Sequence, residues 1–463
     1  MTSAAPETIW DRARLGITLG SVALIFLAAL EALAVTTVMP VVSVDLNGQA
    51  LFAVAFSGTL ATGVIGMVAA GAWSDRSGPR APLCAAVTLF TAGLIVSGAA
   101  PEMYTFIVGR LIQGLGVGGQ TVSLYVVIAR VYPRELHGRI FAAFAAAWVL
   151  PSMVGPFLAG AVAQYLHWRW AFLGVAVLTA AAFLIVMAQL RSASLDPAEG
   201  AEPPGSSGIS EPPGGGTIGV RLLLATVVAV SAVGAGFAAE APPAVGWPIA
   251  LGCVAVVGFA IKPLMPRGTL RGRVGLPSAI LMRGLVAGGF LAAETYVPKL
   301  LMDRFAFSPM IAGLALTAAA LAWSLASFAQ GRYGDRLGSR RIVVIGTSLL
   351  LAGVLALLAV SLADRLPSLV VIAWGVAGGG MGLIYPRLTV LTLAYSTSAN
   401  EGFNSSALSI SDSTGSALTI AVAGLAFLTF PLAGSGFPAV FCLAAAVLAL
   451  SVIPGLRMGD GAR

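Results

Sequence analysis

Charged side chains are scarce in this sequence. They make up 10% of its 463 residues, where a soluble domain usually carries about 25%. So few charges cannot cover a surface that faces water, which excludes an ordinary soluble globule. Lipid, by contrast, accepts an apolar exterior. Cysteine is scarce too: Cys84, Cys253 and Cys442 all fall inside apolar runs, so a disulfide framework is not expected. The two histidines, His137 and His167, lie far apart in short loops, and no metal site is expected. The formal net charge is +7, yet no basic tract or aromatic platform of the nucleic-acid-binding kind accompanies it. Neither a nucleotide-binding loop nor an enzyme-like constellation is present, so no catalysis, ATP coupling or cofactor is expected.

What the sequence does have is apolar runs, each long enough to cross a bilayer at about 20 residues. They are rich in Leu, Ala, Val and Gly, as helices packed closely in lipid tend to be. A transmembrane β-barrel would show short alternating segments instead. Spans are predicted near 15–38, 51–72, 82–99, 103–128, 140–162 and 170–190. Arg12 and Arg14 precede the first run in the manner of a signal peptide, but the run is too long for one and reads as a retained helix. A segment rich in Pro, Gly and Ser follows, from Ser192 to Thr217, and reads as a flexible linker. Two more runs lie near 221–239 and 246–261, and six more near 277–297, 309–329, 342–361, 368–392, 404–429 and 438–455, about fourteen in all.

Basic residues test this count. With the N-terminus in the cytoplasm, the inner loops and tails collect most of the arginines, including Arg76, Arg80, Arg130, Arg134, Arg332, Arg336, Arg340 and Arg341. The outer loops keep only Arg169, Lys299, Arg304 and Arg365. The positive-inside rule thus predicts an even number of spans in a cell (inner) membrane, with both termini cytoplasmic.

An internal repeat divides the chain. Gly71-Ala-Trp-Ser-Asp75-Arg76-Ser-Gly78-Pro-Arg80 matches Gly331-Arg-Tyr-Gly-Asp335-Arg336-Leu-Gly338-Ser-Arg340 at an offset of 260. The same offset carries Gly118 and Gly119 onto Gly378 and Gly379, and Gly155 onto Gly415. Two six-helix halves in parallel orientation are implied, a known transporter construction. The expected organisation is a first bundle at 1–190, a cytoplasmic linker at 191–220, two extra helices with a basic loop at 221–275, and a second bundle at 276–463.

Five motifs stand out. Gly71, Asp75, Arg76, Gly78 and Arg80 form a charged turn in which Asp75 can accept hydrogen bonds from arginines. The fourth span carries Arg110-Leu-Ile-Gln113-Gly114, and the first carries Leu30-Glu31, ending its motif at Pro40. An Arg inside a bilayer must face a partner or a wet cavity. Glu31 lies nine residues before Pro40 and Arg110 nine after Pro101, so both sit roughly 13 Å below the outer boundary, where they can pair. The fifth span carries Pro151-Ser-Met-Val-Gly155-Pro156-Phe-Leu-Ala-Gly160, where proline can kink the helix and small residues admit a close neighbour. Trp168-Arg169-Trp170-Ala-Phe172 opens the sixth and reads as an interfacial anchor.

These residues resemble the major facilitator superfamily, and within it the proton-coupled drug antiporters with fourteen spans. The resemblance covers nearly the whole chain. It implies an all-α polytopic fold of two six-helix bundles plus two central helices, with substrate bound between the bundles. It also implies that the loops at Asp75 and at Asp335-Arg336 form a cytoplasmic latch holding the outward-open state. Arg110 would tune the protonation of the nearby acid, and the Pro151–Gly160 motif would mark an exporter. The first span departs from the family pattern, with Glu31 where Asp is usual and Leu33 where Thr is usual; a Glu still titrates, with longer reach.

The implied cargo is a hydrophobic or amphipathic small molecule, with protons as the coupling ion and one chain sufficing. A lipid or lipid-linked metabolite translocase is the alternative, followed by an uptake symporter or a non-transporting sensor. Glu294 and Asp412 are two further acids in apolar runs, each a candidate for a proton or a cationic substrate; Glu294 is expected near the outer end of its helix. Arg283 and Arg387 are expected to be anchors at the cytoplasmic boundary.

Overall fold

The computed structural model describes residues 11, 14–192, 218–397, 400–432 and 434–458. Most of the predicted linker lies outside the described residues. In hydrocarbon every backbone N–H and C=O must find a partner within the chain, and a helix achieves this with its own segment alone. Among the described residues the apolar runs accordingly become fourteen helices long and apolar enough to cross a membrane.

The first bundle comprises α1 (Leu15–Asp45), α2 (Phe52–Ser77), α3 (Arg80–Ala99), α4 (Met103–Val131), α5 (Arg134–Tyr165) and α6 (Trp170–Ser192). The extra pair is α7 (Ile218–Phe237) and α8 (Pro243–Ala260). The second bundle comprises α9 (Leu276–Phe305), α10 (Pro309–Leu337), α11 (Ser339–Ala363), α12 (Ser368–Ala394), α13 (Glu401–Thr429) and α14 (Phe437–Leu456). With an even number of helices, α1 begins and α14 ends on the same side. We call that side the terminal face and the opposite side the distal face.

Several helices outrun their predicted spans. α1 does not stop at Pro40 but continues to Asp45 with the proline inside it. α9 continues to Phe305 and takes in Lys299 and Arg304, both expected in an outer loop. Lys299 is buried there, pairing with Asp303 at 2.7 Å one turn on. In α5 both Pro151 and Pro156 lie within one continuous helix.

The repeat is visible in the turns and in the packing. Gly78 has φ +79 and Gly338 has φ +77, a conformation that L side chains rarely adopt. That explains why both copies of the charged turn carry glycine there. In the first bundle Gly114 and Gly118 of α4 pack on the backbone of Thr59 and Gly63. In the second, Gly378 and Gly382 of α12 pack on Ala319 and Trp323. Thr59 and Ala319 keep the offset of 260, whereas Gly114 and Gly378 are 264 apart. The sequence match of Gly118 to Gly378 is therefore one helical turn out of register. The physical reason is α11, which has 25 residues where α3 has 20.

The two halves meet along α5 with α10 and along α2 with α13. Gly160 lies against Pro309 and Met310, and Gly313 lies against Pro156 and Phe157. Toward the distal face Phe52 meets Tyr296 with ring centroids 5.2 Å apart. The extra helices stand to one side, α7 packing on both α2 and α13 and α8 on α7.

Candidate functional site

The fold brings Glu31 and Arg110 together. Glu31 comes from the middle of α1 and Arg110 from the second turn of α4, and each is only 3% exposed. Arg110 Nη1 donates to Glu31 Oε1 and to Gln113 Oε1, the latter at 2.8 Å. Arg110 Nε donates to the carbonyl of Ala55 at 3.0 Å. The arginine is thus held by α2 and by its own helix independently of the acid. Among the described residues Glu31, by contrast, is held by Arg110 alone, so a proton on Glu31 would remove that partner without freeing the arginine. The neighbours of Glu31 on α1 reach the small-residue motif: Gly155 faces the side chains of Leu30 and Leu33. The same helix then crosses to α10 through Gly160.

A second polar cluster lies in the other bundle. Asp412 of α13 accepts a hydrogen bond from Tyr385 Oη at 2.5 Å and stands 3.5 Å from Arg283 Nε. Arg283 also donates to the carbonyl of Tyr385 at 3.0 Å and to Thr389 Oγ1 at 3.2 Å. Its guanidinium lies 3.1 Å from the centroid of the Tyr385 ring. Arg283 is therefore a buried partner of Asp412 and not a boundary anchor. Arg387 of α12 reaches the start of α11, its Nε and Nη2 donating to Ser339 Oγ at 3.0 and 2.7 Å.

This cluster is not the repeat of the first. At the structural offsets the positions of Glu31 and Arg110 are filled by Leu291 and Trp374. Trp374 is fully buried and stacks on Phe290 at 4.7 Å. Trp323 then bridges Phe290 at 5.5 Å and Tyr385 at 5.3 Å. One half carries an ion pair where the other carries an aromatic array. Nothing in the repeat motif announced this, and the signal for Arg283 was only an arginine well inside an apolar run.

Glu294 lies eleven residues before the end of α9, deeper than the sequence suggested. It is half-buried, and among the described residues its carboxylate has no hydrogen-bond or ion-pair partner.

Comparison with known proteins decides the family. A family model described as Major Facilitator Superfamily matches residues 22–298 and 279–458. The chain belongs to the major facilitator superfamily. A protein described as a probable multidrug-efflux transporter, from Mycobacterium tuberculosis, is 27% identical over 370 residues, covering 76% of this chain and 75% of its own. An MFS-type transporter of the acurin A biosynthesis cluster, from Aspergillus aculeatus, is 30% identical over 162 residues, 35% of this chain. That match spans only 29% of the fungal protein's length. Among solved structures, an auto-inhibited POT family peptide transporter superposes with a TM-score of 0.69 at 15% identity, covering 96% of this chain and 98% of its own. The xylose transporter from E. coli, in a partially occluded inward-open conformation, gives 0.59 at 15% identity, covering 95% and 96%. At these identities the likeness is one of fold.

At the turn Asp75 is exposed and, among the described residues, makes no ion pair, although it feels the charge of Arg130. Arg130 of α4 instead holds the end of α2 through the carbonyl of Ser74 at 3.2 Å. Arg76 and Arg336 are exposed beside the two turns, and the side chain of Asp335 lies outside the described residues. Trp168 donates to Asp45 at 2.8 Å, and Arg169 to the carbonyls of Gly98 and Ala100 at 3.0 and 2.7 Å, tying together the distal ends of α1, α3 and α6.

Proposed function

We propose that this major facilitator exports hydrophobic or amphipathic compounds from the cytoplasm across the cell membrane in exchange for protons, by alternating access. The observation that carries this reading is the buried contact of Glu31 with Arg110. A carboxylate so deep is tolerable beside a guanidinium, and a proton replaces that partnership when the acid is neutral. Protonation would release α1 from α4 while Arg110 keeps Ala55 and Gln113. Because Leu30 and Leu33 lean on Gly155, that release would reach α5 and, through Gly160, the opposite half. The helix 5 motif and the efflux-type relative support export. The basic terminal face supports cytoplasmic termini.

Asp412 serves in this scheme as a second acid whose charge is shared with Arg283 and Tyr385, and Glu294 as a third without a cation. Three acids and an aromatic array suit a neutral or cationic cargo. The turn at Asp75 serves in this scheme as a latch that engages in the outward-open state. The test is transport by purified protein in liposomes under an imposed pH gradient. Glu31→Gln should abolish gradient-driven transport while the protein stays folded. Gradient-driven rates like those of the parent in that variant would overturn the assignment.

A further inference from the structure

The connection between α8 and α9 is a built loop on the terminal face. Two single turns of 3-10 helix, Lys262–Leu264 and Thr269–Arg271, are joined through Gly268, Gly272 and Gly275, all with positive φ. Thr269 Oγ1 bonds the carbonyl of Pro266 and Ser278 Oγ that of Arg273, each at 2.7 Å. Arg457, at the end of α14, donates to the carbonyls of Arg271 and Gly272 at 3.2 and 3.1 Å, and its own carbonyl accepts from Gly275 N at 3.3 Å. The loop is therefore fixed to the second bundle.

It borders an open hollow of about 430 Å³ whose wall is mostly apolar, with Met265 and Leu270 in it and Lys262, Arg267, Arg271 and Arg273 around it. All four cations are exposed, and among the described residues none forms an ion pair. The chain has no Asp or Glu anywhere between Glu240 and Glu294. Four like charges around one hollow repel one another until an anion enters, and arginine forks match a phosphate's oxygens. The rim is apolar: Phe259 is 70%, Val274 73% and Leu270 43% exposed. Lys262 Nζ lies 4.2 Å from the Phe259 ring centroid, a cation turned over an aromatic where helix ends meet the membrane surface.

We propose that this cavity binds a phosphate ester, presented as the headgroup of an anionic phospholipid in the leaflet at the terminal face. Phosphate on a lipid and phosphate in solution share the oxygens that the arginines recognise. The apolar rim at the level of the helix ends favours the lipid, whose acyl chains would lie against Phe259 and Val274. The site lies far from the Glu31–Arg110 pair and does not depend on the transport reading.

The test uses the purified full chain in nanodiscs of phosphatidylcholine alone and of an equimolar mixture with phosphatidylglycerol. Retained lipid is counted by native mass spectrometry. The parent should retain phosphatidylglycerol over phosphatidylcholine, and Arg267→Gln/Arg271→Gln should lower that retention about tenfold, at several-fold per charge. The matched double Arg332→Gln/Arg341→Gln, on the same face, should leave it unchanged. Arg267→Lys/Arg271→Lys keeps the charge and loses the fork; it should fall between parent and Gln double, and it carries the test if the Gln double does not fold. In a second arm inorganic phosphate is titrated into the detergent-solubilised chain and thermal unfolding is followed. Stabilisation by phosphate as well as retention of the lipid assigns a phosphate pocket open to water. Retention of lipid alone assigns the headgroup. No preference for phosphatidylglycerol, or equal loss in both Gln doubles, overturns the proposal.

Discussion

A buried charge is costly alone and tolerable in company, and the two polar clusters show different degrees of this. Glu31 and Arg110 are sealed from solvent, so removing one partner strands the other. Arg110→Gln should destabilise the folded protein by about 3–5 kcal/mol at neutral pH. The double variant Glu31→Gln/Arg110→Gln should recover most of that, and a thermal unfolding cycle over the four proteins checks it. Additive losses would mean the pair is not a unit. Asp412 is more open, its side chain 21% exposed, so Tyr385→Phe should cost near the lower end of the roughly 1.5–3 kcal/mol typical of a hydrogen bond to a charged group. The first cluster was legible in the sequence because two charges interrupt apolar runs at matched depth, and depth follows from counting along helices. Rotation about the helix axis does not. That is why Arg283 read as an anchor and why Tyr385, an unremarked tyrosine in a membrane helix, gave no sign of its bond to Asp412.

Helices repeat their construction where turns and close contacts demand it. Gly78 and Gly338 hold the same positive-φ, extended conformation in equivalent turns, and Gly78→Ala should cost about 1–3 kcal/mol from backbone strain alone, measurable as a lowered unfolding midpoint. The contact of α5 with α10 admits even less change, because at Gly160 and Gly313 an added side chain would meet backbone of the other half. Gly313→Leu should therefore keep its helical content but wedge the halves apart at the distal face. Cysteines placed near that face should react faster with impermeant reagents, and transport should fall. Unchanged labelling would show that the interface yields. Element number and order were readable from hydropathy, since each apolar run must satisfy its own backbone. The ends were less so: α1 passes through Pro40 because a membrane helix tolerates proline when neighbours cover the freed carbonyl. The offset of the repeat failed beyond α11 because a longer helix there shifts everything downstream by one turn.

At the scale of the whole molecule the extra pair breaks the symmetry of the two bundles. α7 touches both halves, through an alanine contact of Ala61 of α2 with Ala229 and Ala232 of α7 and Ala417 of α13. At the distal face Glu240 accepts a hydrogen bond from Tyr104 Oη at 2.7 Å, tying the pair to the start of α4. Replacing residues 218–261 by a linker that preserves the orientation of the second bundle should lower thermal stability more than it alters which compounds are carried. A changed cargo range in a stable protein would place the pair on the transport path.

The alanine contact has one more implication. Two bundles lying side by side in a bilayer leave two seams open to hydrocarbon, one between α2 and α13 and one between α5 and α10. With α7 laid over the first, lipid tails have no access there. A molecule dissolved in the membrane that seeks the space between the bundles is left with the side of α5 and α10, which Gly160 and Gly313 close toward the distal face, so loading from the bilayer would be one-sided in a fold that is otherwise built twice.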